Sequence, residues 1–218
     1  MSETDSFIEE VSDEVRRDKL FGFFKKYLWV FIALVIFIVG GAAVNEYLKA
    51  KKETDAQIVG EALLAAQTAA DAGAFAAIAA DGGAPAILAK LDQAAVLAFD
   101  GQAGAAATIL DGISADAEVL PLYRDLALLK TVMVNGQNMS AADLDSAFAG
   151  LTSEGAPFRL LAIEQRAIVN LRNGDTAATL SDLGEILADS NATQDLRNRA
   201  QELTISLGGE IVTPQSGG

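Results

Sequence analysis

Residues 27–45, YLWVFIALVIFIVGGAAVN, are nineteen consecutive uncharged positions between Lys26 and Glu46. Coiled as an α-helix at about 1.5 Å per residue, such a run covers most of the ~30 Å hydrocarbon core of a bilayer. No other stretch of the 218-residue chain approaches it, so the sequence predicts one N-terminal membrane span followed by a long tail. Tyr27 and Trp29 mark one end and Tyr47 the other, where amphipathic rings favour the membrane interface. Gly40 and Gly41 are adjacent and form no GxxxG pair, so nothing in the span signals helix dimerisation. Arg16, Arg17, Lys19, Lys25 and Lys26 precede the span, and Lys49, Lys51 and Lys52 follow it. Five bases against three predict a cytoplasmic N-terminus (residues 1–26) and a C-terminal domain on the far side of the membrane. The alternative is a cleaved signal peptide with small residues at Gly41 and Ala43. A 26-residue leading segment rich in acids (Glu9, Glu10, Asp13, Glu14) is unlike a short basic n-region, and the helical pattern continues through Tyr47 and Leu48.

Beyond the span, composition narrows the fold class to all-α. Alanine and leucine, which favour helix, dominate, while the β-branched and aromatic residues that supply strands are sparse. The chain has no cysteine and no histidine. That removes disulfides, thiolate nucleophiles, the commonest general base and the commonest transition-metal ligands. The net charge of −14 lies wholly after residue 52, because the first 52 residues hold eight acids and eight bases. So acidic a domain repels nucleic acid and anionic lipid, and the same charge keeps an alanine-rich surface soluble.

The first 24 residues read as a short amphipathic helix near the membrane. Ser6 and Glu9 form a capping-box pair, Ile8, Val11 and Val15 recur at helical spacing, and Leu20, Phe21, Phe23 and Phe24 follow. It either lies on lipid, docks on a membrane partner or simply settles the anchor. After the span, Ile58, Ala62, Leu63, Ala66 and Ala69 form an apolar-periodic helix capped by Thr54 and Asp55, and Gly73 and Asp81-Gly82-Gly83 interrupt the pattern.

A period then sets in. Pro85, Pro121 and Pro157 stand 36 residues apart, each at the head of a helical stretch. Each stretch meets a turn about 15 residues on: Asp100-Gly101, Asn135-Gly136 and Asn173-Gly174-Asp175. A shorter helix follows each turn, on Ala106, Ile109, Leu110 and Ile113, on Leu144, Phe148 and Leu151 after a Ser140/Asp143 cap, and on Ala178, Leu180, Leu183 and Ile186. A last helix, residues 196–207, has no partner. Three helix–turn–helix units with an odd terminal helix predict a tetratricopeptide-like solenoid over residues 46–208, the rival being a plain antiparallel bundle. Residues 209–218 are polar and Gly-rich, and are expected to be disordered.

The pattern of short N-terminus, single span and tetratricopeptide-like domain resembles the YfgM-type ancillary subunits of the bacterial SecYEG translocon. Phe7-Ile8-Glu9-Glu10-Val11, followed by Asp13-Glu14-Val15-Arg16-Arg17-Asp18, is similar to the N-terminal motif of the family's alphaproteobacterial members. The resemblance implies a single-pass inner-membrane protein with a periplasmic domain. It implies partnership with the SecYEG translocon and a membrane-anchored prolyl isomerase-like chaperone, in a chaperone network that receives client polypeptides. It carries no catalytic residue and no cofactor.

The residues themselves give catalysis little support. Carboxylate pairs such as Asp143 with Asp145 or Asp111 with Asp116 read as solvated faces or caps, and no GxSxG or SxxK spacing occurs in the tail. Asp81-Gly82-Gly83 lacks the ligand spacing of a calcium loop. Asn138-Met139-Ser140 and Asn191-Ala192-Thr193 match a glycosylation sequon that matters only in a eukaryotic secretory route. Protein binding is the better-supported activity, because solenoids present a groove lined by the first helix of each unit. Tyr123, Arg124, Met133, Phe158, Arg159 and Arg166 are the candidate lining residues, with core or rim packing as the ordinary alternative. The chain is thus expected to be a membrane-anchored protein-interaction scaffold and not an enzyme. The alternative is a regulator of an envelope stress response that sequesters a cytoplasmic factor through its N-terminal segment.

Overall fold

The computed structural model describes the backbone of residues 3–210, and the side chains from Leu28 to Glu210 apart from Phe31. Among these residues every regular element is helical. They are α1 (Glu3–Ala69), α2 (Ala72–Ala80), α3 (Gly83–Phe99), α4 (Ala103–Ser114), α5 (Pro121–Asn135), α6 (Ala141–Leu151), α7 (Arg159–Arg172), α8 (Thr176–Ala188) and α9 (Gln194–Ser206), with a 3₁₀ turn at Gly136–Asn138.

The expected short helix over the first 24 residues does not stand apart, because α1 runs without a break to Ala69. All four prolines lie beyond it, so nothing in the sequence stops it. The side chains of Ser6, Glu9 and the apolar positions through Phe24 lie outside the described residues, as does the tail after Glu210. Thr54 and Asp55 are not caps: both lie inside α1, and the Thr54 hydroxyl donates to the Ala50 carbonyl at 3.0 Å. From Leu28 onward α1 is long and apolar enough to cross a membrane, and its apolar window buries nothing inside the molecule. Trp29, Ile36, Phe37 and Val39 have no protein cover, which in water would leave a large unfavourable apolar surface.

The chain divides into two compact units, residues 1–58 and 59–218. In the second, the end of α1 turns through Ala70 (φ 49°) into α2, a helix the sequence reading missed because Gly73 looked like an interruption. The Asp71 carboxylate caps α2 by accepting from the backbone N–H of Gly73 (2.8 Å) and Ala74 (3.2 Å). Phe75 on α2 fills the space between Ala66 of α1 and Ala89 of α3. The helices that follow pack in chain order, α2 on α3, α3 on α4, α4 on α5, α7 on α8 and α8 on α9, with α6 making lighter contact with α5 and α7. Pro121 occupies the first turn of α5 and Pro85 the first turn of α3, whereas Pro157 falls two residues short of α7. Gly101 and Gly174 take the left-handed conformation their turns require, at φ 77° and 79°. The turn after α5 differs: Gly136 is right-handed and begins the 3₁₀ turn leading to Ser140, whose hydroxyl accepts from Asp143 N–H at 3.1 Å.

Alanine decides how closely the hairpins approach. Ala94, Ala106 and Ala127 meet where α3, α4 and α5 converge, and Leu91, Leu110, Ile113 and Val119 fill the remaining volume. Ile163, Ala167, Leu183 and Ile186 do the same for α7 and α8, closed by Ala192, Leu196 and Ala200 from α9. Around α6 the larger Leu144 and Phe148 take that place, packing on Val132 of α5 and Val169 of α7.

A candidate protein-interaction face

Short turns join α3 to α4 and α4 to α5, so α3 and α5 run in the same direction with α4 behind them. The same connectivity relates α5 and α7 through α6. α3 touches α5 and α5 touches α7, giving three neighbouring helices with the intervening ones at their backs. Each of the three spends its flanks on this packing. α3 turns Ala89 and Val96 toward α2, and Leu91 and Ala94 toward α4. α5 turns Ala127 to the α4 side, Val132 to α6 and Leu129 to α7. α7 turns Ala162 to α5, and Ile163 and Ala167 to α8 and α9.

Each of the three helices also keeps exposed apolar side chains. On α3 these are Ala84, Leu88, Ala95 and Phe99 on one helical face around a half-buried Asp92, with Phe99 91% exposed. On α5 they are Leu122 and Met133 near its two ends, the latter 55% exposed, with Leu129 between them buried, and on α7 Leu161, with Gln165 and Ile168 half-buried and Arg172 exposed beyond them. Leu88, Phe99, Leu122, Met133 and Leu161 are thus a loose row of exposed large apolar side chains spread over three helices that touch in turn. Single exposed leucines are ordinary on a protein surface, and it is their recurrence on three helices in contact that makes this face a candidate interaction site.

Of the six lining residues expected from sequence, the structure puts Met133 in this row. Tyr123 is half-buried against the α3–α4–α5 core. Arg124 is half-buried and has no ion pair among the described residues. Phe158 precedes α7 and packs beside Leu129, Leu151 and Ala162. Arg159 and Arg166 are engaged within the molecule. Arg159 pairs with Glu185 and, at 2.8 Å, with Asp189. Arg166 donates to Asp182 from Nη2 at 2.6 Å and from Nε at 3.1 and 3.2 Å, and reaches Thr152 Oγ1 at 3.3 Å. Asn170 Nδ2 gives the buried Asp182 a further hydrogen bond at 3.0 Å. The bonds to Asp182 raise the Arg166 pKa above its ordinary value, so the guanidinium stays charged. Arg199 of α9 holds Glu164 of α7 by two hydrogen bonds, at 2.7 and 2.9 Å.

Leu88, Phe99, Leu122 and Leu161 were missed by sequence reasoning. Their signal is a second apolar stripe on helices that already carry a core-facing one, most visible in α3, where GAPAILAKLDQAAVLAF is apolar nearly all round. Two clefts flank the row's helices. One of about 560 Å³ opens between α6 and α7, with Leu144, Phe148 and Val169 below and Arg166 and Arg172 at its rim. Another of about 850 Å³ lies by the loops before α7 and α9, lined by Phe158, Leu161, Asp189 and Leu196. No group of three or more acidic side chains is placed to hold a metal ion among the described residues. No protein-family model, curated protein or solved structure matches this chain.

Proposed function

We propose that the chain is a membrane-anchored protein-interaction scaffold whose hairpins form a tetratricopeptide-like solenoid, and that its uncovered row holds apolar segments of polypeptides. The observation that carries this reading is the set of exposed Leu88, Phe99, Leu122, Met133 and Leu161 on three helices in contact, and the helix long and apolar enough to cross a membrane supports placing the domain at one. Non-directional apolar contact suits clients that differ in sequence. The acidic charge of the domain, twenty acids against eight bases from residue 59 onward, favours clients with basic residues near their apolar segments.

The resemblance to the YfgM-type family supplies the place. On this reading the N-terminus is cytoplasmic, the solenoid is periplasmic at the bacterial inner membrane, and the partners are the SecYEG translocon, a membrane-anchored prolyl isomerase-like chaperone and newly secreted polypeptides. The five-to-three excess of bases before the span supports that orientation.

A photo-crosslinking amino acid placed at Phe99, Leu122 or Leu161, at endogenous expression, tests it. Adducts with translocon subunits and secreted proteins are expected there, and not from Ser181 or Asp145 on the opposite helices. Equal yields from both sets would refute binding by the row. A yield confined to cytoplasmic proteins would refute the assigned side of the membrane.

A further inference from the structure

The cleft of about 560 Å³ between α6 and α7 falls within the roughly 300–1,000 Å³ of sites that hold small ligands. α6 lies more lightly on α7 than α8 does, and Ala141 and Ala149 present only methyl groups to the opening. The floor is apolar, made by the buried Leu144 and Phe148 and the half-buried Val169. The rim is richer in hydrogen-bond donors. Arg172 is exposed and has no ion pair among the described residues. Arg166 gives Nε and Nη2 to Asp182, while its Nη1 donates to Thr152 Oγ1 at 3.3 Å. Asp145 is the one acid lining the cleft among the described residues.

We propose that this cleft takes an acidic segment of a protein partner, one in which a carboxylate stands close to a large apolar side chain. The apolar side chain covers Leu144, Phe148 and Val169, and the carboxylate pairs with Arg172 and accepts from Arg166 Nη1. Charge complementarity selects this occupant. From residue 59 onward acids outnumber bases twenty to eight, yet two of the eight bases meet at this cleft beside a single acid. Asp182, itself held by Asn170, fixes the Arg166 guanidinium before any partner arrives, which lowers the ordering cost of binding. A carboxylate on a guanidinium also gains orientation as well as attraction. At physiological salt, exposed charges more than about 8 Å apart are largely screened, so acids elsewhere on the domain oppose such a partner less than the adjacent arginines attract it. The preference is opposite to that of the exposed row, whose acidic surroundings favour basic clients. The cleft therefore serves a partner other than the polypeptides proposed for the row.

Two end-blocked peptides test it, Gly-Asp-Leu-Phe-Glu-Gly and its neutral counterpart Gly-Asn-Leu-Phe-Gln-Gly, each with 4-fluorophenylalanine in place of Phe. They are titrated with the full-length protein in nanodiscs of uncharged lipid and followed by fluorine NMR. The acidic peptide should bind roughly fivefold more tightly than the neutral one. Arg172→Gln should remove most of that difference, whereas Lys90→Gln, an equal loss of charge on α3, should leave it intact. Asp145→Asn should tighten the acidic peptide severalfold. Ala149→Trp, at an exposed position that lines the cleft, should weaken it at least tenfold with helical circular dichroism unchanged. Equal affinity of the two peptides, binding of neither, indifference to Ala149→Trp, or the same loss from Lys90→Gln as from Arg172→Gln would each overturn the proposal. Displacement of the acidic peptide as the protein associates with itself would overturn it too, and would assign the cleft to a second copy.

Discussion

Replacing Arg166 with methionine should destabilise the helical domain by about 2–3 kcal/mol. The Asp182 carboxylate, only 8% exposed, receives three contacts within 3.2 Å from the guanidinium and one from Asn170. Losing Arg166 leaves a nearly buried charge with a single neutral donor. Breaking a fully buried pair costs about 3–5 kcal/mol, and a hydrogen bond to a charged group contributes about 1.5–3 kcal/mol. Arg166 is itself 31% exposed, so the lower part of that range applies. For a domain of this size the change corresponds to a Tm drop of roughly 5–10 °C. The informative comparison is the double variant Arg166→Met with Asp182→Leu, which removes both charges and should be more stable than Arg166→Met alone. Thermal and guanidinium unfolding of the full chain, followed by helical circular dichroism, reads all three variants. A loss below about 0.5 kcal/mol for Arg166→Met, or a double variant whose loss equals the sum of the single losses, would refute the account of a coupled buried pair.

Leu110→Ala should cost about 2–5 kcal/mol, because Leu110 is 1% exposed among α3, α4 and α5, and chemical denaturation checks it. Ser140→Ala removes the cap that accepts from Asp143 N–H and should cost about 1 kcal/mol, measured the same way, with Ser140→Asn nearly neutral. Asp189 has a pKa below the ordinary carboxylate value, first because the Asn191 backbone N–H donates to it at 2.8 Å and then because of Arg159. Its stabilising effect is therefore complete above the unfolded carboxylate pKa near ~3.9 and is lost as pH falls through the lower folded value. Asp189→Asn should flatten that acid limb in a pH series of melting temperatures and leave the slope above pH ~5 unchanged.

The helical class, the long apolar N-terminal helix and most turns are readable in the sequence because each rests on strong local chemistry. Asp100-Gly101 and Asn173-Gly174 need a left-handed residue, and the Ser140/Asp143 pair caps its helix whatever packs beyond it. Local chemistry misleads at Gly73, where the Asp71 cap outweighs glycine's low helix propensity, and at Thr54, where a capping residue sits mid-helix bonded to Ala50. Of the six lining residues, Met133 is on the exposed row. Arg159 and Arg166 are tied to α8, because the acids that pair with them lie 16 to 30 residues away in sequence. Which of two apolar stripes on α3 faces solvent depends on where α2 and α4 dock, and no spacing rule within α3 can decide it.

Magnitudes link the row to the anchor. Fully burying a Leu, Met or Phe side chain gains about 1.5–3 kcal/mol, and the five row residues are already partly covered, so a client that closes over all of them gains roughly 5–8 kcal/mol. Association costs about 4–15 kcal/mol in lost translational and rotational freedom. Free in solution, the proposed face would hold a peptide weakly or not at all. A client confined to the same membrane starts at an effective concentration nearer the millimolar range, which offsets much of that entropic cost. Weak contact then becomes useful, because a segment that must go on to fold elsewhere has to be released. The proposed scaffold therefore depends on residues 27–45 for its affinity as much as on the row. Replacing that span with a cleavable signal, so that the domain is freed from the membrane, should abolish client adducts at Phe99 while leaving its helical circular dichroism intact. Undiminished adducts from the freed domain would show that the row binds strongly by itself.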